Sequence, residues 1–141
     1  MAKPLGAELV DLCKPAPYPS FDYFSTGANP LAFERFAFNR LLGKLDVFVS
    51  VAKLKSHYTA GVTLALKNLI GLALLNEYKR EVNHTSRTVL HGSGSFDTHL
   101  PGVIVDMNRA CPLHLAVIDG GSRWSGEKVC SCALAPELTL S

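Results

Sequence analysis

Residues 45–71 read LDVFVSVAKLKSHYTAGVTLALKNLIG. The first seven are short, β-branched and aromatic, the composition of a strand. Lys53, Lys55 and His57 follow at its carboxyl end, and residues 61–75 form an apolar run that holds Lys67 and Asn68 and reads as a helix. A strand, a polar turn and a helix in that order belong to an α/β sheet, where ligands bind at the carboxyl ends of the strands. If the chain stays extended through Lys53, Lys55 and His57, their spacing of two sets all three on one strongly electropositive face.

The flanking sequence extends the alternation. Residues 7–12 (AELVDL) suit a first strand, and residues 14–30 hold four prolines, which forbid a regular helix and predict a loop. Phe33, Phe36, Ala37, Arg40 and Leu41 recur at helical spacing, with Asn29-Pro30 as a start and Gly43 as a stop. Residues 76–97 form a polar loop with His84, Arg87 and His91, and residues 99–110 read as a helix with Leu100, Val103, Ile104 and Met107 on one stripe. Residues 113–118 (LHLAVI) are a further strand, after which Asp119-Gly120-Gly121 predicts a sharp turn. The order is βαβαβ, which implies a single α/β domain over residues 1–141 with a mostly parallel sheet, flanking helices and right-handed crossovers. Parallel pairing would bring residues 53–57 and 119–127 to the same sheet edge.

Composition narrows the functional classes. The chain has 141 residues, 48% of them hydrophobic and 18% charged, enough for one domain with a real core. A net charge of +2 gives no footing for nucleic acid as a partner, so attraction for anions must be local. The apolar run at 61–75 falls short of the roughly 20 residues a membrane span needs. The first 25 residues lack the basic and apolar segments of a signal peptide, so the default location is cytoplasmic. Cys13, Cys111, Cys130 and Cys132 do not form the C-x2-C framework of zinc or iron–sulfur sites and read as unpaired thiols.

The chemistry gathers around residues 53–71. Lys53, Lys55 and His57 precede the expected helix N-terminus, whose backbone N–H groups and dipole favour a phosphate or carboxylate. Solvated turn lysines are the plainer alternative. Lys67 strengthens the case, because an ammonium inside an apolar helix is costly without a partner or water, although its spacing suits a lysine snorkelling to the surface equally well. Thr63 lies one turn before it and Gly71 one turn after, a polar, small face that would let Lys67 reach a ligand and allow close backbone approach at Gly71. His57, with a pKa near neutrality, is the acid–base candidate beside Lys67, and Asn68 either orients a ligand or caps a loop carbonyl. Asp119 can cap its turn or bind a ligand, and Asp119, Glu127 and His91 form a weaker metal alternative. Walker A, G-x-G-x-x-G, G-x-S-x-G and H-E-x-x-H sequences are absent from the chain.

These residues resemble the DUF362 domain family, whose pattern is similar to a strand followed by K-x-K-[ST]-H and then G-V-T-L-A-L-K-N-L-x-G. Here the pattern stands as Lys53, Lys55, Ser56 and His57, then residues 61–71. LHG at 90–92, LPGVIVDMNRA at 100–110 and LAVIDG at 115–120 are similar too. The resemblance implies an α/β domain, sometimes found in proteins that also carry iron–sulfur ferredoxin modules. It adds Ser56 to the ligand-binding candidates Lys53, Lys55, Asn68, Gly71 and Asp119. After Asp119 the chain departs from the family's pattern, and the resemblance implies an incomplete domain, truncated at both ends, with exposed sheet edges. The expected function is binding of a small anionic ligand, in an enzyme or an iron–sulfur-linked redox protein. The alternative is a noncatalytic domain that docks an acidic partner such as a ferredoxin.

Overall fold

The structure, a computed structural model, describes Gly6 and residues 10–12, 20–57, 60–79, 87–92 and 96–124, with the backbone alone at 96–98 and 121–124. It is a mixed α/β arrangement of two small sheets. Strands β1 (Phe21–Ser25) and β2 (Arg35–Asn39) pair antiparallel, from Phe21 opposite Asn39 to Ser25 opposite Arg35. A 3-10 segment, Arg40–Lys44, then leads to β3 (Val49–His57). The second sheet has the order β4-β3-β5, with β4 at Gly61–Thr63 and β5 at Leu115–Trp124. Between them run a 3-10 segment at Leu66–Leu72, the single-turn α1 (Leu75–Tyr78), a 3-10 turn at Thr88–His91 and the long α2 (Phe96–Ala110).

The pairing of β3 with β5 is parallel, as expected, from Val49 opposite Leu115 to Lys53 opposite Asp119. Two reciprocal bonds, one to a side chain, set its start: Phe48 N–H donates to His114 Nδ1 at 3.0 Å, and His114 N–H donates to Phe48 O at 2.9 Å. One face of this pair is open, since Val49, Val51, Leu115 and Val117 are all exposed. The other edge of β3 takes β4 antiparallel, so the sheet is mixed rather than mostly parallel.

Four further expectations are corrected. The helical spacing around Phe33 to Leu41 belongs to a strand, because Phe36 and Phe38 are buried while their backbone pairs with a strand inside the proline-rich segment. Residues 61–75 are not one helix: Gly61, at φ +69°, turns the chain so that Val62 and Thr63 return along β3, and only then does the 3-10 segment begin. Asp119-Gly120 does not turn either, since β5 runs on to Trp124. Finally, Val10, Asp11 and Leu12 carry no strand, while residues 7–9 lie outside the described residues.

The core packs the β1–β2 hairpin against the 3-10 segments, α1 and α2. Phe36, Phe38, Leu69, Leu90, Val103 and Met107 are fully buried in one cluster with Leu42, Leu74 and Tyr78. Tyr78 Oη accepts from Ala37 N–H at 2.8 Å and so ties α1 to β2. Asp106 of α2 is wholly buried, and its Oδ2 accepts from the N–H groups of Leu31, Ala32 and Phe33 at 2.8, 2.6 and 3.1 Å. Arg109, 3.4 Å from Asp106 Oδ1, donates to the carbonyls of Ala28 and Asn29. Burial opposes the Asp106 charge, but the three N–H donors and Arg109 outweigh it and hold the carboxyl below its ordinary range. The β1–β2 connection thus has its backbone donors satisfied by one carboxylate from α2.

Asp106→Ala strands those donors and should cost about 3 kcal/mol, read as a fall in the urea midpoint at neutral pH. Because the folded carboxyl titrates below the unfolded one, its contribution is present above the unfolded value of about 3.9 and lost as pH falls through the folded value. The cost of the variant should therefore shrink in acid, and one that is constant or growing there would contradict this role.

Candidate functional site

The site forms at the carboxyl end of β3, where both of its edges are paired. On one edge the ladder with β5 runs to Lys53, breaks register and resumes at Lys55 opposite Trp124; on the other, Lys55, Ser56 and His57 pair with Thr63, Val62 and Gly61 of β4. Directly opposed residues of an antiparallel pair share a face, so Lys55 and Thr63 are side-chain neighbours. Ser56 alternates to the other face, opposite exposed Val62, and is not grouped with Lys55 and His57.

The 3-10 segment carrying Lys67 is fixed by polar staples. Asn68 Nδ2 donates to Ser50 Oγ and Val51 O, both at 3.1 Å, filling the stretch of β3 edge that β4 does not reach. Ser50 Oγ donates to Ala65 O at 3.1 Å, and Asn108 Nδ2 of α2 donates to Leu66 O at 2.9 Å. Arg87 donates to the carbonyls of Gly71 and Ala73 at the far end. The Asn68 amide is thereby engaged in structure rather than held out for a ligand. Gly71 is no tight approach point, since a Cβ there would meet nothing within 4 Å.

So anchored, Lys67 enters a field of like charge. Burial and then the neighbouring Lys55 ammonium push its pKa below the ordinary value. Burial also lowers the pKa of His57, followed by the charges of Lys67, His91 and Lys55. The Lys55, Lys67 and His91 charges thus act on these two groups in the same direction as burial. His57 Nδ1 accepts from Ala60 N–H at 3.2 Å, which places the ring proton on Nε2 and favours the neutral imidazole. Thr63 is 6% exposed, and its Oγ1 has no hydrogen-bond partner among the described residues.

The sequence candidates therefore divide. Lys55, His57 and Lys67 are brought together, with His91 within electrostatic reach. Lys53 stands apart in an ion pair with Asp119, 3.4 Å between Nζ and Oδ2, with both side chains about half exposed. Such a pair contributes little to stability. Glu127 lies outside the described residues, and among those described no three His, Cys, Asp or Glu side chains are grouped to hold a metal. Sequence reasoning missed Ser50, Asn108 and Arg87, whose staples depend on contacts across the fold.

The arrangement is that of a small α/β fold with a partly buried cationic cluster at the carboxyl end of its central strand. The family model described as "Domain of unknown function (DUF362)" matches residues 1–128, and the chain belongs to that family. No curated protein and no solved structure matches it. Among the described residues no helix is long and apolar enough to cross a membrane.

A histidine titration followed by NMR should place the His57 midpoint below the ordinary 6.5. With the folded value lowered, the unfolded chain takes up the proton first as pH falls. The contribution of the neutral ring to stability is thus intact above about 6.5 and lost on acidification toward the folded value. Lys67→Met should move the midpoint back up; a midpoint at or above 6.5, or one unmoved by that variant, contradicts the shared field.

Proposed function

We propose that this domain binds a small anionic ligand between Lys55, Lys67 and His57, with the Lys53–Asp119 pair at the margin. The observation that carries the reading is the crowding of Lys67, Lys55 and His57, where burial and like charge act in the same direction. Gathering cations away from water costs free energy that only a countercharge returns, and such placements concentrate at functional sites. The support comes from β3, β4 and the stapled 3-10 segment. A helix N-terminus plays no part, since β4 occupies the place where that helix was expected.

His57 enters as a polarising neighbour. With Nδ1 already accepting from Ala60 N–H, the resting ring cannot take a proton there without giving up that bond. Acid–base work by His57, assisted by Lys67, would pass through Nε2. A docking surface for an acidic protein such as a ferredoxin is less well supported, because Lys55, His57 and Lys67 are all partly buried, whereas steering charges sit at the exposed rim.

Titration calorimetry of the chain against inorganic phosphate, nucleotides and small carboxylic acids tests the reading. Lys55→Ala and Lys67→Met should each weaken the best ligand about 10-fold or more, the worth of one charge-assisted hydrogen bond. Lys44→Ala, remote in sequence from the cluster, serves as the control. Unchanged binding in both cluster variants sinks the site, and affinity that collapses between low and physiological salt favours protein docking instead.

A further inference from the structure

Thr63 is the group at this site that the fold leaves unexplained. It is buried, its hydroxyl has no partner among the described residues, and it lies on β4 directly opposite Lys55. Cross-strand partners in an antiparallel pair stand about 5 Å apart at Cβ, so the hydroxyl and the base of the lysine side chain border the same space. Buried hydroxyls normally find a partner, and an unsatisfied one in a native fold calls for a missing ligand, ion or water. The charge balance narrows the choice. Lys55 and Lys67 carry two positive charges, while the Ala60 N–H bond favours a neutral His57. Two cations match a dianion better than a carboxylate monoanion, and a hydroxyl donor beside two ammoniums suits a group with three terminal oxygens.

Resting on the anion-binding reading above, we infer that Thr63 and Lys55 form the oxyanion-binding end of a site for a phosphate monoester, with Lys67 as the second cation. Thr63 donates its hydroxyl hydrogen to one phosphate oxygen. Lys55 and Lys67 neutralise the dianion.

The test uses methyl phosphate and acetate as probes at pH 8, where the phosphate monoester is dianionic, with calorimetry on the whole chain and its Thr63→Val, Thr63→Ser and Lys55→Ala variants. Methyl phosphate is expected to bind at least 10-fold more tightly than acetate. Thr63→Val, which keeps the shape and removes the hydroxyl, should weaken methyl phosphate about 10-fold and leave acetate nearly unchanged, while Thr63→Ser keeps most of the affinity. Because the valine removes an unsatisfied buried hydroxyl, its urea midpoint should equal or exceed that of the parent, which separates lost binding from lost folding. If Thr63→Val binds methyl phosphate as the parent does while Lys55→Ala does not, the role of Thr63 is overturned and the anion site stands. Acetate binding as tightly as methyl phosphate overturns the substrate class. Binding indifferent to both variants overturns the site as a whole.

Discussion

Strand β3 is flanked unequally on its two edges, and the rest of the structure follows from how those edges are filled. One edge pairs in parallel with β5, with a register break between Lys53 and Lys55, and the other takes β4 antiparallel over the last three residues alone. Along the stretch of that second edge which β4 does not reach, Asn68 donates its side-chain amide to the Val51 carbonyl. That amide, together with the Ser50, Asn108 and Arg87 side chains, holds the 3-10 segment and thereby sets where Lys67 emerges. Backbone polar groups near a core must be paired, and this need places a costly ammonium beside Lys55 and His57.

A second polar fixture holds the opposite side of the molecule. The Asp106 carboxylate gathers three backbone N–H groups from the β1–β2 connection and is backed by Arg109, joining α2 to the hairpin. Side chains of α2 also reach the 3-10 segment, through Asn108 to Leu66 O. A single helix therefore braces both the hairpin core and the element that carries Lys67. The cationic cluster sits on a rigid support, which favours selective binding over loose electrostatic attraction.

Much of this was legible in the sequence, and the failures have physical causes. The strand character of residues 49–51, the helix at 99–110, the strand at 115–118 and the parallel pairing of β3 with β5 follow from local composition and alternation. Residues 35–39 were misread because Phe33, Phe36 and Arg40 fit helical spacing while Phe36 and Phe38 also fit a strand. The choice was made by Phe21–Ser25, hidden among prolines. Residues 61–75 were misread because an apolar run does not reveal that Gly61 turns back with positive φ and that β3 still has a bare edge to fill. The structure brings Lys55, His57 and Lys67 together, whereas Lys53 is drawn off by Asp119 across the sheet, a neighbour that spacing along the sequence does not reveal. Thr63 was noticed as a helical neighbour of Lys67; its relation to Lys55 across a hairpin depended on a strand that the sequence pattern did not show.

The central claim is that Lys55 and Lys67 enclose a place for an oxyanion. Crystals of the chain grown with tungstate, a tetrahedral dianion with a strong anomalous signal, test it most directly. The account predicts an anomalous peak within hydrogen-bond reach of the Lys55 and Lys67 Nζ atoms and close to Thr63 Oγ1. Tungstate found only on exposed lysines elsewhere, with Lys55 and Lys67 pointing apart into solvent, would contradict it.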